Sequence, residues 1–106
     1  MKTKLINALI GFIVLSGISL AFSPDGAASH GREVYAAQKC ALCHSIAGIG
    51  GKKSALDGVG SKLNSEDIRK WIRTPKGMKP NTVMKPYSNL PEKDLDDLVA
   101  FIMTLR

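Results

Sequence analysis

The stretch Lys39-Cys40-Ala41-Leu42-Cys43-His44 constrains this chain more than any other, because it sets two thiols three positions apart with an imidazole directly behind the second. On a helical turn the three groups project from one side of the chain. A disulfide across two residues would close a small ring and remove almost no chain entropy. Thiol exchange wants the pair at the start of a helix that follows a strand, and no alternating run anywhere in the sequence marks a strand. Zinc needs a fourth ligand. The only other histidine, His30, lies in a small, polar stretch expected to be mobile.

A fourth chemistry uses every residue of the motif. In covalent haem the two sulfurs add to the two vinyl groups of the porphyrin, and the adjacent imidazole coordinates iron. Chain size favours it over the disulfide, its remaining competitor. The 106 residues make at most one domain, and the N-terminal end reads as a segment that never joins it. Lys2 and Lys4 precede the apolar run Leu5 to Leu15, and small residues follow, so residues 1–21 are expected to be a secretory signal peptide. Cleavage as late as Ala28 is also acceptable. Leu5 to Phe22 carries no charge and just reaches the length of a membrane span, so an uncleaved anchor is the competing reading. Residues 22–30 read as a flexible linker and residues 31–106 as the folded domain. A domain of about 80 residues supplies only ~3–5 kcal/mol from a core of side chains, and such domains usually carry a staple, metal or cofactor. Its aromatics are only Tyr35, Trp71, Tyr87 and Phe101.

Along the exported part the fold class is all-α. A first amphipathic helix is expected from about Ala28 into the cysteine pair, with Gly31, Val34 and Tyr35 on its inner side. Five glycines in residues 45–63 make the next stretch a loop. Asn64 caps a second helix, with Asp67 three positions on, which carries Ile68, Trp71 and Ile72 on one face and stops before Pro75. A proline-rich loop follows. The last helix starts near Pro91 with Glu92, Asp94, Asp96 and Asp97 at its positive end, and buries Leu95, Leu98, Val99, Ile102 and Leu105, with Phe101 at the edge of the stripe.

If His44 fills one axial position of iron, the other decides the chemistry. A thioether raises the potential and closes the metal to oxygen, whereas an open position invites ligand binding or peroxide chemistry. Met78 and Met84 both lie in the proline-rich loop, where Pro75, Pro80 and Pro86 leave the chain few conformations to lose. Met103, on the last helix, reads as core.

Over residues 31 to 105 the sequence resembles the small bacterial class I c-type cytochromes, which hold one haem. Gly31 and Tyr35 ahead of Cys40, Cys43 and His44 match, as do the glycine-rich Leu56-Asp57-Gly58-Val59-Gly60, the Pro80-x-Thr82-x-Met84 run and the ending around Asp97, Leu98 and Phe101. The resemblance implies a small cytochrome c-like fold of three to four short helices and loops around one covalently bound haem c. Cys40 and Cys43 would be attached to it, His44 and Met84 would be its axial ligands, and the last helix would cross the first with Phe101 meeting the region of Gly31 and Tyr35. Two positions depart from the pattern. Ser54 stands where proline often helps set the carbonyl that accepts the imidazole's second N–H, and Asn81 stands where glycine is usual.

The implied function is a periplasmic monohaem carrier of single electrons, monomeric, and not an enzyme. The alternatives are a haem subunit tethered to one oxidoreductase complex, or a ligand-binding or peroxidase-type haem protein if Met84 does not bind iron. Without residues 1–21 the chain keeps thirteen basic and nine acidic residues, a formal +4. Lys52, Lys53, Lys76, Lys79 and Lys85 fall in the two loops, so redox partners with acidic docking surfaces are expected. A basic pI without aromatic interleaving gives no support to nucleic-acid binding.

Overall fold

The computed structural model describes residues 26–106; the expected leader over residues 1–21, its alternative as an anchor, and the start of the linker lie outside them. Helix α1 spans Gly26–Ala37, α2 Val59–Lys62, α3 Ser65–Arg73, α4 Pro75–Met78 and α5 Glu92–Met103. Cys40–Leu42 form one 3-10 turn, and three very short strands complete the described chain: β1 His44–Ile46, β2 Ile49–Gly50 and β3 Ser54–Ala55. The architecture is helical, as the sequence implies, with the small sheet as an addition.

The core sits where α1 and α5 cross. Val34 and Tyr35 of α1 meet Leu95, Leu98, Val99, Phe101 and Ile102 of α5, and α3 adds Ile68 and Ile72. The helices approach so closely that a Cβ at Gly31 would overlap the Asp97 carbonyl oxygen, which is why this position tolerates only hydrogen. Phe101 is buried and not at the edge, because the crossing brings its ring edge-on to Tyr35 with centroids 5.6 Å apart. The Arg32 guanidinium lies 5.0 Å from the centre of the same ring.

Two expectations about α1 change. Residues 26–30 are helical and not linker, and His30 donates across the crossing from Nδ1 to Asp97 Oδ2 at 2.7 Å. Asp97 is itself buried, where a dipole argument alone would leave it exposed at the helix start. Lys93 Nζ donates to the same oxygen at 2.6 Å. The Lys93 hydrogen bond and the His30 contact hold the Asp97 carboxyl below the usual carboxylate range, against the opposite pull of burial. The other end of α1 stops at Ala37, short of the cysteines, because Lys39 takes the left-handed conformation at φ 58°.

Helix α3 is framed as the sequence predicts. Asn64 Oδ1 accepts from the Asp67 N–H at 2.8 Å, Glu66 and Asp67 occupy the first turn, and Pro75 opens α4 directly afterwards. Arg69 bridges from α3 to Glu92 and Asp96 of α5. These exposed pairs fix the angle between helices more than they stabilise it.

Candidate haem site

The 3-10 turn and the sheet position the motif. With α1 ended by Lys39, the Leu42 N–H returns to the Lys39 carbonyl at 3.1 Å and the Cys43 N–H to the Cys40 carbonyl at 3.2 Å. Cys40 and Cys43 therefore lie on one tight turn, not on an α-helix, and they still fall on the same side of it. Both are free thiols. Cys40 is half-buried against the core and Cys43 is exposed. Burial pushes the Cys40 thiol up, opposed by its own backbone N–H, the Tyr87 phenol and the charge of Lys85.

His44 starts β1, and its ring is oriented by the sheet. Strand β1 pairs parallel to β3 with His44 opposite Ser54, and antiparallel to β2 through a turn at Ala47 and Gly48. Both turn residues have positive φ, 52° and 79°, as a two-residue type I′ hairpin demands. The Asp57 carboxylate accepts the Ala47 N–H at 3.1 Å, which offsets the strain of a non-glycine residue there. Within this frame His44 Nδ1 lies 3.2 Å from the Ser54 carbonyl oxygen. Serine thus supplies the carbonyl at the position where proline is more usual, and a proton on Nδ1 leaves Nε2 with its lone pair for a metal.

The second candidate ligand lies on the far loop. Met84 is half-buried, with its N–H 3.3 Å from Thr82 Oγ1, while Met78 closes α4. Three residues past Met84, Tyr87 returns to the motif side: its hydroxyl donates to the Gln38 carbonyl at 3.4 Å, and its own N–H donates to the Ile72 carbonyl at 2.9 Å. Lys85 Nζ stands 5.0 Å from the centre of the Tyr87 ring. Burial first, and a charge on Cys40 second, push the phenols of Tyr35 and Tyr87 up, so both keep their protons. Sequence reasoning assigned neither tyrosine to the site. The signals are that both are aromatic residues in a chain with few and that Tyr35, with Gly31, matches the family pattern ahead of the cysteines.

The residues present fit a large planar apolar group. Between Tyr35 and Ile68 no apolar side chain is fully buried: Ile46, Leu56, Val59 and Leu63 pack only partly buried against the core, while Leu42 is 74% exposed and Ile49 79%, and Val83 beside Met84 is 83% exposed. The buried Tyr35 hydroxyl has no hydrogen-bond partner among the described residues. Nor do three or more His, Cys, Asp or Glu side chains among them converge as a zinc site requires.

Comparison with known proteins identifies the family. Residues 28–106 match the family model described as cytochrome c. The chain is also 29% identical over 89 residues to cytochrome c oxidase subunit 2 of Alkalihalophilus pseudofirmus (strain ATCC BAA-2126 / JCM 17055 / OF4), covering 74% of this chain and 26% of that protein. A second match, 36% identical over 44 residues, is to cytochrome c oxidase subunit 2 of Bacillus sp. (strain PS3), covering 41% of this chain and 12% of that protein. The chain therefore spans about a quarter or less of the length of the curated relatives it matches. Because the family match takes in the turn, the sheet, both loops and α5, the chain belongs to the cytochrome c family, and covalently bound haem c and electron transfer come with that membership.

Proposed function

We propose that this chain is a monohaem carrier of single electrons in the periplasm, with haem c bonded to Cys40 and Cys43 and its iron held between His44 and Met84. When bound, the group supplies a one-electron iron(III)/iron(II) couple. The chain's own residues do the rest. Cys40 and Cys43, on one turn, would keep the cofactor from being lost outside the cell. Ser54 orients His44 so that Nε2 faces away from the sheet's hydrogen bonding. Met84 would fill the remaining position and exclude oxygen and peroxide, which distinguishes a carrier from an enzyme. The Lys52, Lys53, Lys76, Lys79 and Lys85 ammonium groups would steer association with acidic partner surfaces. The leader-like run Leu5 to Leu15 supports export.

The observation that carries this reading is the His44 Nδ1 to Ser54 carbonyl contact at 3.2 Å, which fixes the tautomer a metal-bound imidazole needs. Carbon monoxide added to the reduced protein should leave its spectrum unchanged, and an immediate change would show the sixth position open. Met84→Ala should bind carbon monoxide at once and lower the midpoint potential by on the order of 0.1 V, within the span that axial ligands control. Met78→Ala should do neither.

The relatives named cytochrome c oxidase subunit 2 favour a second reading, in which the chain serves one oxidase complex and is tethered by its N-terminal segment. No helix among the described residues is long and apolar enough to cross a membrane. The mass of the native protein separates the two: an intact Met1 supports tethering, and a shortened chain with one haem added supports a soluble carrier.

A further inference from the structure

The hydrogen bonds made by residues 79–84 are all local. The Lys79 N–H bonds the Pro75 carbonyl at 2.9 Å, the Thr82 N–H the Lys79 carbonyl at 3.0 Å, the Met84 N–H Thr82 Oγ1 at 3.3 Å, and Lys76 Nζ the Thr82 carbonyl at 3.2 Å. Among the described residues none of these reaches beyond α4 and the loop itself. Packing is also thin just past Met84. Pro86 and Ser88 line two open clefts, one of about 330 Å³ shared with Thr74, Pro75 and Gly77, the other of about 370 Å³ shared with Gln38 and Leu90. The loop is thus secured from its far end, and the group that secures it is Arg73.

Arg73 ends α3, whose Ile68 and Ile72 are buried in the core, so the base of its side chain is fixed. One guanidinium nitrogen donates to the Tyr87 carbonyl at 2.9 Å and to the Ser88 carbonyl at 3.0 Å; the other donates to Glu92 Oε1 at 2.9 Å. The side chain is only 20% exposed. Beside it, the Ile72 carbonyl accepts the Tyr87 N–H at 2.9 Å. Charged donors make the stronger hydrogen bonds, and a rigid planar fork holds its acceptors in fixed, spread directions with less freedom to lose per bond than an ammonium on a flexible stem.

We propose that Arg73 is a positioning residue for the second axial ligand: by gripping the Tyr87 and Ser88 carbonyls it keeps Met84 in ligating position and sets how often the loop opens. The proposal rests on Met84 being that ligand. A purely structural ion pair would predict something different, and the same helix supplies the control. Arg69, one turn earlier, bonds Glu92 and Asp96 of α5 and touches no loop carbonyl.

The test compares holoproteins of the native chain, Arg73→Gln, Arg73→Lys, Arg69→Gln and Met84→Ala. Two quantities are read: the rate of carbon monoxide binding to reduced protein, and hydrogen exchange of the Tyr87 amide in the absence of carbon monoxide. Losing charged hydrogen bonds to two carbonyls should speed both by about 10- to 100-fold in Arg73→Gln. Arg73→Lys should give a smaller, several-fold increase, and Arg69→Gln should leave both near native. Equal effects from Arg69→Gln and Arg73→Gln, or none from Arg73→Gln, would overturn the proposal. Should Arg73→Gln fail to yield folded holoprotein, Arg73→Lys decides, since native rates in that variant contradict the role. Met84→Ala keeps the two readings apart. If it binds carbon monoxide no faster than the native protein, the ligand assignment fails; if it binds at once while Arg73→Gln stays closed, only the latch fails.

Discussion

Helix α5 buries five apolar side chains within twelve residues, whereas between Tyr35 and Ile68 the apolar side chains are at most partly buried against the core. The crossing of α1, α3 and α5 closes on itself, with Leu95 at 0% exposure, Gly31 under Asp97, and Phe101 against Tyr35. The motif half is built from backbone instead: a 3-10 turn, a type I′ hairpin and a three-stranded sheet of two and three residues per strand. Such short strands do not hold together by themselves. The difference shows that this chain encodes a helical clamp complete in its own side chains and a set of loops shaped to close around something else.

The comparison breaks most visibly if the loops turn out to stand alone. Cys40→Ser combined with Cys43→Ser should give colourless protein whose thermal transition is lower and much broader than the holoprotein's, since the helical clamp keeps its own core while the loops lose the group they close around. A sharp transition near that of the holoprotein would show that the loops have a core after all. A smaller effect is expected from the clamp: Leu95→Ala should cost about 2–5 kcal/mol in denaturant unfolding, the range for emptying a fully buried leucine site. Its midpoint potential should stay near native, because the cavity opens at the crossing. A large shift in potential would mean that the halves are coupled more tightly than their packing implies.

The smallest effect belongs to acid. The folded state holds the Asp97 carboxyl below its ordinary value near 4, so the stabilisation it gives is complete above about pH 4 and is lost as pH falls from there through the lowered value. Asp97→Asn should flatten the fall in stability across that acidic window while leaving its shape at neutral pH alone. His30 Nδ1 and Lys93 Nζ, the two groups at this carboxylate, are the contacts the substitution weakens.

The clamp was more legible in sequence than the loops, and the residues show why. Asn64 and the stripe of α5 announce themselves because caps and helical periodicity are local. Spacing along α5 sets Phe101 at the edge of the stripe because it says nothing about where α1 crosses, whereas the resemblance places it correctly against Gly31 and Tyr35. His30 looked mobile because its anchor, Asp97, is 67 positions away. The end of α1 carries no signal at all: Lys39 is an ordinary residue in a left-handed conformation. The sheet was invisible because strands of two or three residues leave no alternation to detect. The Ser54 contact runs through a backbone carbonyl, which every residue has, so only the register of β1 with β3 could assign it. Cys40, Cys43 and His44 are singled out by their spacing, and Met84 over Met78 by resemblance.

The most direct measurement is the mass spectrum of the tryptic peptide spanning residues 40–52, taken from protein matured in a host that exports and attaches haem. Haem mass on that peptide, with both Cys40 and Cys43 as thioethers, is the predicted result. The same peptide at its unmodified mass, or two hydrogens lighter from a Cys40–Cys43 bond, would contradict the account.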